Sequence, residues 1–162
     1  MTVTPDKTAR AARAVEALLA RHAELQGVLE HWAGVLAATA VSSGPVRPAR
    51  NLLRAFLADE VLPHARAGER TLYRAARRDP GASLLAQALI SEHRDLASRA
   101  ATLGEPAQPA AIAAQAAAIS ALFASHAAKE DSLLLPALER SGAGLAALLA
   151  REPGLAGHPR AA

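Results

Sequence analysis

Cysteine is absent from the 162 residues, which excludes disulfides, iron–sulfur clusters, thiolate zinc sites and cysteine nucleophiles together. Aromatic residues are nearly as scarce: Trp32, Phe56, Tyr73 and Phe123 make up 2% of the chain. β-Branched side chains are also few, so the material from which sheets are built is missing. An all-β fold and a doubly wound α/β fold are thereby excluded. No uncharged apolar run reaches 18 residues, and the Ala-rich stretch 110–121 is too short to cross a bilayer. The opening MTVTPDKTARAAR lacks the apolar core of a secretion signal. The expectation is a soluble cytoplasmic chain with no membrane contact.

What is present is alanine and leucine, 44 and 24 residues, both strong helix formers. Hydrophobic residues reach 51% against a net charge of +3, which is too apolar for disorder. Breakers cluster at Ser42-Ser43-Gly44-Pro45, Asp79-Pro80-Gly81, Gly104-Glu105-Pro106 and Ser141-Gly142. Between them run periodic segments of about 5–41, 47–79, 82–103 and 109–140, with a shorter one at about 144–151. Thr4 suits an N-cap and Pro5 a first helical position. The reading is all-α: an up-down-up-down four-helix bundle with a short C-terminal fifth helix. It forms a single domain over 1–162, with its core at about 5–151 and a loose tail at 152–162. Pro63 and Pro136 fall inside helices and predict kinks there.

Sixteen of the 18 basic residues are arginine, and Arg66, Arg70, Arg74 and Arg77 line one face of the second segment. Without interleaved aromatics or a recognition motif, this stripe reads as a solvated face, so nucleic acid is not expected as a partner.

The histidines carry the most information. His22, His64, His93 and His126 each interrupt the apolar stripe of a different long segment. In an antiparallel bundle they meet at about one level: His22 and His64 lie roughly 28 and 26 Å from their shared turn. A lone histidine on an apolar face is usually a satisfied core residue. Four at one depth are hard to satisfy by hydrogen bonding alone, and a metal ion resolves the problem because imidazole is its commonest ligand. Glu130 follows His126 by four residues, about 40° around the helix, so both side chains can point inward. After His64 the same position holds Gly68, and the acid comes one later at Glu69, about 140° away on a regular helix. A π-bulge near Pro63 or Gly68 would return Glu69 toward His64, and Glu60 is the regular-helix substitute. His31 lies opposite His22 and is expected to face water, while His158 sits in the Gly/Pro-rich tail.

These residues resemble the hemerythrin-like, or HHE cation-binding, domain. Its pattern is one His on helix 1, His-x-x-x-Glu on helix 2, one His on helix 3 and His-x-x-x-Glu on helix 4. The stretches Glu60-Val-Leu-Pro-His64-Ala-Arg-Ala-Gly-Glu-Arg-Thr-Leu-Tyr73 and His126-Ala-Ala-Lys-Glu-Asp-Ser-Leu-Leu-Leu-Pro136 are similar to its two signatures, and the likeness covers about residues 8–150. The resemblance implies a non-haem di-iron centre with His22, His64, His93 and His126 as terminal ligands. Glu130 and Glu69 would then be bridging carboxylates. It also implies oxygen, nitric oxide or peroxide as the small ligand. Gly68 departs from the pattern and leaves open one metal, a weakened pair or rescue by Glu69. The enzymatic alternative is peroxide decomposition at the same centre, and nothing in the sequence separates turnover from binding. A third alternative is a metal-free helical interaction module.

Overall fold

The computed structural model describes residues 5–105 and 108–155, and among them there are helices and no strand. Helix α1 spans Pro5–Val41, and α2 runs continuously over 47–76. Helix α3 covers Ser83–Thr102, α4 covers Pro109–Arg140, and the short α5 covers Leu145–Ala150. These bounds match the periodic segments to within a few residues. Pro5 opens α1 as expected, while Thr4 and His158 lie outside the described residues. Prolines also stand in the first turns of α2 and α4, where a missing N–H costs nothing.

Two apolar clusters form the interior. One gathers Leu25, Leu29, Leu53, Val61, Leu96, Ile119 and Phe123. The other gathers Leu18, Leu72, Tyr73, Leu89, Leu134 and Leu149. Each of the four histidines lies, in sequence, between members of the two clusters: Leu18-His22-Leu25, Val61-His64-Ala67, Leu89-His93-Leu96 and Phe123-His126-Leu134. The histidines therefore form a polar layer with apolar packing above and below it. Helix α1 packs along α4, α5 closes against α1, and the turn Pro153–Leu155 rests on the middle of α2.

Helices α2 and α4 are not regular. Helix α2 contains π-turns at Leu57–Val61 and Glu69–Tyr73, and α4 contains one at Glu130–Leu134. Pro63 and Pro136 each follow a π-turn by two residues. A proline ring clashes with the carbonyl four residues back, here that of Asp59 or Ser132, and both carbonyls lie within the widened turns. The expected proline distortion takes this form.

Helix α4 is long and apolar enough to cross a membrane by length and composition, although Gln115, Ser120, Ser125 and His126 break its apolar runs short of 18 residues. Averaged over 18 residues the helix stays apolar despite these polar positions, and nearly half of that window is buried in the interior. A core helix has the same character.

Two glycines in this frame should respond oppositely to substitution. Gly68 has φ −57°, and a Cβ there would make only ordinary contacts, at 3.9 Å, with Tyr73 and Leu155. Gly68→Ala should therefore stabilise the protein by about 1 kcal/mol. Gly142 has φ +71°, and Gly142→Ala should cost about 1–2 kcal/mol. Urea denaturation of the two variants measures both.

Candidate metal centre

His22, His64, His93 and His126 are each 3–6% exposed and Glu130 is 3% exposed, so all five enter the interior as expected. They arrive as two pairs. His22 Nε2 lies 3.0 Å from His64 Nε2, and His93 Nε2 lies 3.0 Å from His126 Nε2. Glu130 Oε2 stands 3.4 Å from His126 Nε2, close enough for its charge to be felt by both His22 and His64. The four imidazoles thus turn Nε2 toward a common centre and Nδ1 outward.

Three of the outward nitrogens meet carboxylates. Asp131 Oδ1 is 2.7 Å from His22 Nδ1, Glu69 Oε1 is 2.9 Å from His93 Nδ1, and Glu92 Oε2 is 3.1 Å from His126 Nδ1. A carboxylate behind an imidazole holds the proton on Nδ1 and leaves the Nε2 lone pair facing inward, the arrangement that accompanies metal-ligating histidine. Lys129 in turn pairs with Glu92. Asp131 and Glu92 are residues of this layer that the sequence pattern did not single out. Their signal is faint, since each is merely the acid beside an already chosen residue, Glu130 or His93.

The helix 2 acids behave differently from expectation. Glu69 does not turn toward His64, because the π-turn begins at Glu69 and reorients the residues after it. Glu69 keeps the direction of a residue five after His64, which points across to α3, and it supports His93 from outside. Glu60 is exposed and pairs with Arg21, so it does not replace the missing carboxylate. His31 is exposed, edge-on to Trp32.

Tyr73 enters unannounced. It is fully buried, and its hydroxyl donates to Glu130 Oε2 at 2.8 Å and lies 3.0 Å from His126 Nε2. Its ring stacks on His93 at 5.2 Å between centroids. On a regular helix Tyr73, nine residues after His64, would point about 180° away. The Glu69–Tyr73 π-turn adds a residue to the turn and brings it inward.

Charge in the centre follows from these contacts. Burial would push the Glu130 carboxyl up, but the His126 contact and the fields of His22 and His64 outweigh it and hold it at about 2. Burial likewise lowers His22, yet its bond to Asp131 and the field of Glu130 leave it raised. Burial, then the neighbouring His22, drives His64 down to about 3. Burial and His126 lower His93 against the support of Glu69. Burial, followed by the Glu130 charge, raises the Tyr73 phenol and keeps it a donor.

Among the described residues, no three His, Asp or Glu side chains stand ready as a cage for an ion; the donors close on one another in pairs. Their chemistry nonetheless fits a cation. Glu130 Oε1 and His64 Nδ1 are buried with no hydrogen-bond partner, each at a cost of about 1–3 kcal/mol. Imidazole nitrogens and a carboxylate are the donor set of iron in non-haem proteins.

Asp131→Asn and Glu92→Gln should each weaken metal binding about 10–100-fold, as measured by titration with ferrous or cobaltous ion. His31→Ala should leave that titration unchanged and stability within about 0.5 kcal/mol. A pH dependence also follows. Unfolded His64 takes up a proton near its ordinary value of about 6.5, whereas folded His64 does so only at about 3. The unfolded state therefore binds more protons between these values, and stability falls as pH drops through that window. Chelator-treated protein should lose on the order of 1 kcal/mol per pH unit from this residue, and His64→Gln should flatten the slope in urea melts.

Residues 13–138 match the family model for the hemerythrin HHE cation binding domain. No curated protein and no solved structure matches the chain. The matched segment takes in most of the first and fourth long helices, the whole of the second and third, the four inward histidines and Glu130, and the chain belongs to the hemerythrin HHE cation-binding domain family.

Proposed function

We propose that the protein holds a non-haem di-iron centre in an up-down-up-down four-helix bundle and binds or senses a small ligand there, namely oxygen, nitric oxide or peroxide. The observation that carries the reading is the layer of four inward Nε2 atoms around buried, ionised Glu130, with carboxylates behind three of the rings. Support for the alternating helix direction comes from the order of the apolar clusters about each histidine, which reverses from one helix to the next.

His22 and His64 would hold one ion and His93 and His126 the other, with Glu130 offering an oxygen to each side. Glu69, Glu92 and Asp131 would orient the rings from behind. Bound iron supplies redox chemistry and an open coordination position for the ligand. The protein's own part is to fix the nitrogen lone pairs, supply one buried anion, and exclude bulk water through Leu and Phe packing. Phe123, edge-on to His22 at 6.4 Å, belongs to that apolar wall. The closure of the paired Nε2 atoms on each other at 3.0 Å favours a metal-free module as the second reading, whereas the unpartnered Glu130 Oε1 counts against it.

Protein purified under iron-replete conditions should contain iron, approaching two per chain, with a charge-transfer absorption when oxidised. His126→Ala should remove most of it. Wild-type protein that takes up no iron would sink the proposal, and full retention in His126→Ala would sink the ligand assignment.

A further inference from the structure

Helix α2 contributes a single buried histidine and, at Gly68, no side chain at all where the HHE pattern carries a glutamate. The space in front of Gly68 is not vacant. A Cβ placed there would lie 3.9 Å from Cζ of Tyr73, the ring carbon that bears the hydroxyl. The phenol end of Tyr73 therefore occupies the volume that a side chain at position 68 would enter, and it reaches the same destination. Its oxygen is 2.8 Å from Glu130 Oε2 and 3.0 Å from His126 Nε2, and His126 Nε2 is in turn 3.0 Å from His93 Nε2. Donors about 2.1 Å from one cation and at right angles around it sit about 3 Å apart. Three atoms of ligating type, Tyr73 Oη, His93 Nε2 and Glu130 Oε2, thus lie within 3.0–3.4 Å of a fourth, His126 Nε2, so a small adjustment of the side chains would turn them toward one ion.

We infer that Tyr73 is a metal ligand and takes the place of the missing helix 2 carboxylate, its phenolate oxygen completing a half-site with His93, His126 and Glu130. The assignment rests on the iron-centre reading above. On binding, the O–H bond breaks, the proton leaves to solvent, and the oxygen lone pair becomes the bond to the ion; no electron is transferred. A bound cation reverses the local preference for the neutral phenol, as it does for coordinating thiols. The arrangement also limits position 68 to a small residue: a Cβ fits at 3.9 Å, but a longer side chain would compete with the phenol for one volume.

Tyr73 is the only tyrosine in the chain, so a phenolate signal has one possible source. Iron-loaded, oxidised wild-type protein should show a visible phenolate-to-ferric charge-transfer band, with tyrosine ring modes enhanced in resonance Raman spectra excited within it. Tyr73→Phe removes only the hydroxyl and should retain helicity while losing the band and the ring modes entirely. Pairing Gly68→Glu with Tyr73→Leu should restore iron affinity above that of Tyr73→Leu alone, without the band. Iron uptake by wild-type protein with no tyrosine modes overturns the assignment and leaves the iron centre standing. Failure of the wild-type protein to take up iron overturns both. Because the Raman assignment needs no variant, it decides the question even if Tyr73→Phe fails to fold.

Discussion

Taking a carboxylate out of water costs several kcal/mol unless donors or cations replace its hydration. Glu130 is enclosed between two apolar clusters and held ionised, and much of the architecture answers that demand. Tyr73 donates to one of its oxygens, the His126 ring lies beside it, and His22, raised by Asp131, contributes positive field. The other oxygen has no partner. In an interior that is mostly leucine and alanine, an orphaned carboxylate oxygen is a costly group to keep, and a cation beside it would offset that cost. The apolar clusters above and below supply the stability that the polar layer consumes, at roughly 1.5–3 kcal/mol for each leucine fully buried.

The π-turns are what make the layer converge. A regular helix presents a new face every 100° or so, which suits one long apolar stripe but not several functional side chains drawn from a short stretch. In α2 the regular turn Leu62–Gly68 sends His64 toward α1 and Glu69 toward α3, and the widening at Glu69–Tyr73 then brings Tyr73 into the centre. In α4 the widening starts at Glu130 itself, and Asp131, the next residue, reaches back to His22. Each acid behind an imidazole comes from a different helix than the ring it supports. The layer therefore depends on the mutual placement of all four helices, and a shift in one would release a ring in another.

Much of this was legible without coordinates. Alanine and leucine content, the Gly/Pro breakers and the 3.6-residue periodicity located every helix, because these are local properties of the chain. The same periodicity singled out His22, His64, His93, His126 and Glu130 as inward, since a polar residue inside an apolar stripe has nowhere else to point. Tyr73, Asp131 and Glu92 were not legible. Tyr73 lies on the wrong face of a regular helix and is brought round only by a π-turn, which periodicity assumes away. Asp131 and Glu92 acquire meaning from rings more than 30 residues distant. Glu69 was singled out for the right helix but the wrong neighbour. Composition and pattern, then, determined the helices and the inward placing of the four histidines and Glu130, because both follow from the local sequence of each helix. Only the tertiary structure decided which atoms face one another, because hydrogen bonds of about 3 Å between helices depend on their register, and register belongs to no single segment.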